Sequence, residues 1–214
     1  MGTTTDFALL ARDPQTGKLL VDQIAYAAGV AGAVVADLLI ERRISWDDRG
    51  KLQLMDPRPL GDAVLHRALA AVQADPKHRS VARWVSRFER REVQDDVIGL
   101  LLRRGDVSLQ EKRVLGIFPS KRYPATTGEA GRTAFEMIRV VLAGEVKADE
   151  SAQALIGICD ATGVLRRVAG PVDRHVLKPF RDADVARAVR SSIEQHRASS
   201  TSGANAGSTA AIIT

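Results

Sequence analysis

The stretch from Ile24 to Ile40 constrains this chain more than any other: its only charged residue is Asp37, and apolar or small side chains point to every side of a helix. A helix that is apolar all round has to be surrounded, either by protein or by lipid. The stretch falls short of the ~20 residues needed to cross a bilayer, and Asp37 sits inside it. It is therefore expected as the buried central helix of a soluble domain. Gly29, Gly32, Ala33 and Ala36 would let neighbouring helices approach its backbone, and Glu41-Arg42-Arg43 ends it in polar surface.

The rest of the chain supplies the partners for such a helix. Aromatics make up only 4% of the 214 residues, so Leu, Val, Ile and Ala must build the core. Apolar stripes at helical spacing predict helices over 62–74, from Ser80 as N-cap through Phe88, and around Val97–Leu102 with Gly105 as the stop. Further helices are expected over 129–143, 149–162 and 181–197. Phe7–Leu10 is a short apolar segment stopped by Asp13-Pro14. Alternation around Asp47-Asp48-Arg49-Gly50 predicts a β-hairpin over 44–54. Gly116, Pro119 and Pro124 disfavour helix in 107–126, where a second hairpin is expected. The fold class expected is mainly α: one compact multi-helix domain over 1–197 with short β-hairpins, one of them apolar-tipped. Residues 198–214, rich in Ser, Thr, Ala and Gly, are expected to be a disordered tail.

Catalytic motifs do not emerge. The four histidines are scattered without metal-ligand spacing, and no phosphate loop, nucleophile elbow or dinucleotide fingerprint occurs. Asp95 and Asp96 are adjacent, so they diverge on a helix. Cys159 is the only cysteine and lies in an apolar run, which predicts an inert core thiol. No enzyme activity, metal or cofactor is expected. The N-terminus carries no basic segment followed by an apolar one, and Asp6 stands where a myristoylation motif wants Ser or Thr.

Charge is more informative. The net charge is +5, and between Arg79 and Arg122 eleven Lys or Arg face six Asp or Glu, an excess equal to that of the whole chain. Arg79, Arg83, Arg87 and Arg90 recur at helical spacing, and guanidinium forks suit phosphate. Leu115, Ile117 and Phe118 lie near the tip of the second hairpin, between Lys112-Arg113 and Lys121-Arg122. An apolar tip with basic flanks has the composition of an interfacial anchor on an anionic membrane. The same residues could instead form an oligomer contact of a helical scaffold. A nucleic-acid-binding role has less support, because 79–91 offers little besides arginine to read bases.

In order and spacing, several segments together resemble the Golgi phosphoprotein 3 family over about residues 5–197. They are the glycine-centred helix running into Leu38-Leu39-Ile40-Glu41-Arg42-Arg43-Ile44, Pro59-Leu60-Gly61-Asp62, Trp84-Val85, the 101–105 helix end, the hairpin at 110–123, and Ala154-Leu155-Ile156. The resemblance implies a predominantly α-helical adaptor with a membrane-inserting hairpin that helps oligomerisation, and a site for phosphatidylinositol 4-phosphate. It places the family's headgroup tryptophan at Asp22 and its three arginines at Ala31, Arg91 and Gln94, so Arg91 alone keeps the family side chain. Arginine outnumbers lysine 24 to 7 and alanine is abundant, a codon bias that points to a GC-rich bacterial member.

The expectation is a cytoplasmic module, peripherally associated with the cytoplasmic membrane face. Its lipid-headgroup site would comprise Arg87, Arg90 and Arg91, and its hairpin of Leu115, Ile117 and Phe118 would enter lipid or join protomers. An anionic phospholipid membrane and a homo-oligomer are the expected partners.

Overall fold

Helix α2 (Gln23–Ile40) runs through the middle of the molecule and packs against α1 (Thr3–Leu10), α3 (Ala63–Gln73), α4 (Val81–Phe88), α5 (Arg91–Arg104), α7 (Glu150–Thr162) and α10 (Asp184–Ala206). The structure is a computed structural model that describes residues 2–75, 77, 79–114, 118–127, 129 and 131–206. Between these helices lie α6 (Arg132–Leu142), α8 (Val164–Val168), α9 (Arg174–Arg181) and four short strands. The described residues thus form ten helices and two small antiparallel sheets, the mainly α architecture expected.

The small residues of α2 do the work that their size allows. A Cβ at Gly29 would lie 2.1 Å from Cζ of Phe7, and one at Gly32 would lie 2.3 Å from Cγ2 of Val189. Helices α1 and α10 therefore sit directly on the α2 backbone. Val30, Ala31, Val34, Val35 and Leu38 are fully buried around it. Asp37 is buried too, and its carboxylate accepts the Thr3 N–H at 2.8 Å and the Thr4 N–H at 2.9 Å. The one charge in the apolar stretch thus satisfies the orphan amides that open α1. Cys159 is wholly buried, and desolvation pushes its thiol pKa up, as befits an inert core residue.

Most predicted boundaries hold. Asp22, Asp62 and Asp149 cap α2, α3 and α7 by accepting backbone N–H groups, and Gly105 ends α5 at φ 72°. Strand β1 (Ile44–Trp46) pairs with β2 (Leu52–Leu54) as expected. Strand β3 (Gln110–Val114) pairs with β4 (Phe118–Arg122), with Gln110 opposite Arg122 and Val114 opposite Phe118.

Four expectations need correction. Ser80 occupies the N-cap of α4, but its hydroxyl makes no capping bond. Helices α8 and α9 form where none was expected. The α9 helix tolerates Pro179 because Leu177 and Phe180 bury against the core, outweighing one lost backbone bond. Helix α10 runs on to Ala206 instead of ending at Arg197, with the Ser199 and Ser200 hydroxyls donating to the carbonyls of Gln195 and His196. Finally, the arginine row 79–90 is not one helical stripe. Helix α4 ends at Phe88, and Arg90 is the extended N-cap of α5.

Candidate functional site

A single side chain, Arg12, joins the end of α1 to the root of the β3–β4 hairpin. Its guanidinium donates to the Tyr26 hydroxyl at 3.0 Å and lies over two rings, 4.8 Å from the Tyr26 centroid and 5.4 Å from that of Tyr123. Tyr26 is buried, and desolvation pushes its phenol pKa up, so it stays neutral and accepts this bond. Cation–π contacts of this kind contribute about 0.5–2 kcal/mol each, depending on desolvation.

The backbone reinforces the link. The Asp13 carboxylate accepts N–H groups of Gln15 and Thr16, closing a turn in which Gly17 adopts φ 67°. A Cβ at Gly17 would lie within 2.4 Å of the Tyr123–Pro124 backbone, so the turn presses against the chain leaving β4. The Ala125 N–H donates to the Pro14 carbonyl at 2.9 Å, and Val107 bridges to Ala125. These contacts hold the hairpin root against the start of the domain.

The result is an open groove of about 960 Å³. The turn after α1 contributes Arg12 and Lys18, and the first turns of α2 contribute Gln23 and Tyr26. Arg91, Gln94 and Asp95 come from α5, and Lys121, Arg122 and Tyr123 from the hairpin's return strand and exit. Its cations Arg12, Lys18, Arg91, Lys121 and Arg122 outnumber its acids Glu89 and Asp95. Glu89 is turned to the rim of α10, where it takes hydrogen bonds from Ser192 and His196. Arg91 reaches Asp95 only at 3.6 Å, with both side chains well exposed, so this pair barely restrains it. Within the groove, Gln23 donates to Gln94 at 2.6 Å, and Gln94 in turn donates to the Glu89 carbonyl.

The predicted headgroup residues divide between two places. Arg91 lines this groove. Arg87 and Arg90 line a smaller one with Arg67, Val64 and Val93, between α3 and the α4–α5 junction. Arg87 pairs with Asp75 and lies over the Trp84 ring at 5.1 Å. Arg79 donates to the same Asp75 carboxylate at 2.6 Å. Of the other positions carried over from the family, Gln94 lines the groove, Asp22 caps α2 and lines a different space with Arg197, and Ala31 is fully buried in α2. Leu115 and Ile117 lie outside the described residues, and Phe118 opens β4.

Sequence reasoning named Lys121 and Arg122 as hairpin flanks but missed Arg12, Lys18, Gln23, Tyr26 and Tyr123. No spacing connects these residues, which meet only through the folded chain.

Groups of His, Cys, Asp and Glu that could hold a metal ion do not occur among the described residues. No curated protein is similar enough to match the chain. A protein-family model described as Golgi phosphoprotein 3 (GPP34) matches residues 4–198. With the match covering nearly all of its length and the helical architecture in agreement, the chain belongs to the Golgi phosphoprotein 3 (GPP34) family.

Proposed function

We propose that this chain is a non-enzymatic peripheral membrane module that holds anionic phospholipid headgroups in the basic groove while the hairpin tip enters the lipid. One observation carries the reading: the return strand of the hairpin is itself a wall of the groove. Lys121 and Arg122 therefore line the same space as Arg12, Lys18 and Arg91. A ligand held in the groove would thus lie against the root of the hairpin's return strand.

The energetics are adequate for reversible docking. A cation near an anionic surface contributes about 1 kcal/mol. Each of Leu115, Ile117 and Phe118 would add a share of the roughly 1.5–3 kcal/mol available on full burial. The Gln23–Gln94 amide pair stands among the cations. It gives the groove neutral donors and acceptors for headgroup hydroxyls, as well as charge for phosphate.

Co-sedimentation with liposomes tests the proposal. Phosphatidylcholine vesicles are compared with vesicles that also carry phosphatidylglycerol, phosphatidylinositol or its 4-phosphate, at low and physiological salt. Binding to the anionic vesicles, weakened by salt and by the double substitution Leu115→Asp, Phe118→Asp in a folded protein, is expected. Equal sedimentation with neutral and anionic vesicles, or none at all, would overturn it.

A further inference from the structure

Beyond the groove, across the N-terminus of α2, lies a second cavity of about 500 Å³. Its walls are Leu20, Val21 and Asp22 before α2, Thr162 and Gly163 at the end of α7, Arg166 and Arg167 on α8, and Arg197 on α10. Three guanidinium groups from two helices border one space with a single carboxylate. That carboxylate, Asp22, is already committed: one oxygen caps α2 through Ala25 N–H at 2.8 Å and the other takes a 2.8 Å bond from Arg197. Arg166 and Arg167 are exposed and enter no ion pair among the described residues.

The other polar group cannot serve as a donor to a ligand. The Thr162 hydroxyl hydrogen-bonds the Ile158 and Cys159 carbonyls of its own helix. The cavity thus offers guanidinium N–H donors beside the half-buried side chains of Leu20 and Val21. Guanidinium matches phosphate oxygens in geometry and charge. The space is about as open to solvent as the groove, and its volume leaves room for a small organic molecule.

We infer that this second cavity, bounded by Arg166, Arg167 and Arg197, is a binding site for a phosphate group carried by a small organic molecule or a phospholipid. It is separate from the basic groove. Asp22 and Arg197 line this cavity, while their chain neighbours Gln23 and His196 line the groove. The Asp22–Arg197 ion pair borders this cavity alone. The inference does not depend on lipid binding in the groove, because the soluble form of the ligand would occupy the cavity without a membrane.

Two assays on the full chain test it. Glycerol 3-phosphate is titrated calorimetrically, and phosphatidylcholine vesicles with and without phosphatidylglycerol are co-sedimented. The variants are Arg166→Glu/Arg167→Glu, the same pair changed to Gln, and a charge-matched control, Arg132→Glu/Arg139→Glu, on α6. The α8 arginines are exposed, so folding is expected to survive, and the Gln pair serves if the Glu pair unfolds. Loss of glycerol 3-phosphate affinity by about tenfold or more in the α8 variants, with the control unaffected, supports a soluble phosphomonoester ligand. A similar selective loss seen only with phosphatidylglycerol vesicles supports a lipid phosphate. If the α8 variants match the control in both assays, or the wild-type chain binds neither probe, the site does not exist. The triple variant Arg91→Glu/Lys121→Glu/Arg122→Glu separates the two readings. It is expected to impair vesicle binding and to leave glycerol 3-phosphate binding intact.

Discussion

Asp22 and Arg197 lie 175 positions apart in the chain and meet at 2.8 Å, carboxylate to guanidinium, across the start of α2. The same carboxylate caps that helix, so one residue both begins the central helix and borders the cavity lined by Arg166, Arg167 and Arg197.

Asp22→Ala is expected to lower stability by about 1 kcal/mol, chiefly through the lost cap, with little from the exposed ion pair. The Ala25 N–H, and after it Arg197, hold the Asp22 carboxyl below its usual pKa of 3.8. A depressed carboxyl stabilises the fold above its unfolded pKa and loses that contribution as pH falls through the folded one. Urea denaturation should therefore separate the variant from wild type at neutral pH and bring the two together in strong acid.

Asp6 behaves in the opposite sense. Burial pushes its carboxyl from 3.8 up to about 6, and its Oδ1 has no hydrogen-bond partner among the described residues. Folding penalises the ionised form, so stability rises as pH falls through about 6 toward 3.8. Asp6→Asn should be more stable than wild type at mildly alkaline pH, with the advantage gone in acid. Thermal melts across that range measure it, and a gap that does not change with pH would contradict the assignment.

Gly32→Ala tests the contact between α2 and α10. The new methyl would lie 2.3 Å from Val189 Cγ2. Overpacking of a core costs about 1–3 kcal/mol, set against up to about 1 kcal/mol of helix propensity gained. Net destabilisation is expected, with partial recovery in Gly32→Ala/Val189→Ala. Without that recovery, the clash would lie elsewhere.

Arg87 and Arg91, both in the basic cluster but lining different grooves, should separate cleanly. Arg91→Glu is expected to weaken binding to anionic vesicles by about tenfold or more, because it reverses a groove charge. Arg87→Ala should leave that binding nearly unchanged and lower the melting temperature, since Arg87 is tied to Asp75 and stacked on Trp84. If both variants bind alike, the groove is not the headgroup site.

The central helix, both hairpins and most helix ends could be read from the chain because local chemistry dictates them. An apolar run needs covering, an Asp cap needs amides, and Gly105 can take a positive φ. Helices α8 and α9 were hidden because Gly170, Pro171 and Pro179 signal breaks locally, whereas Leu165, Leu177 and Phe180 find burial only once α7 is in place. The arginine row misled for a related reason: spacing alone cannot reveal that the helix ends at Phe88 or that Asp75 claims two of its members.

By itself the sequence determined a mainly helical domain around an apolar helix, with an excess of positive charge between Arg79 and Arg122. Only the tertiary structure decided which cations share a space. The groove draws on five separated segments, bringing Arg12 and Lys18 to Arg91, Lys121 and Arg122. The cavity beyond it draws Arg166 and Arg167 toward Arg197. Periodicity records which side of one element faces the core. Long-range packing sets where two distant elements meet, and the charges there are close in space without being close in sequence.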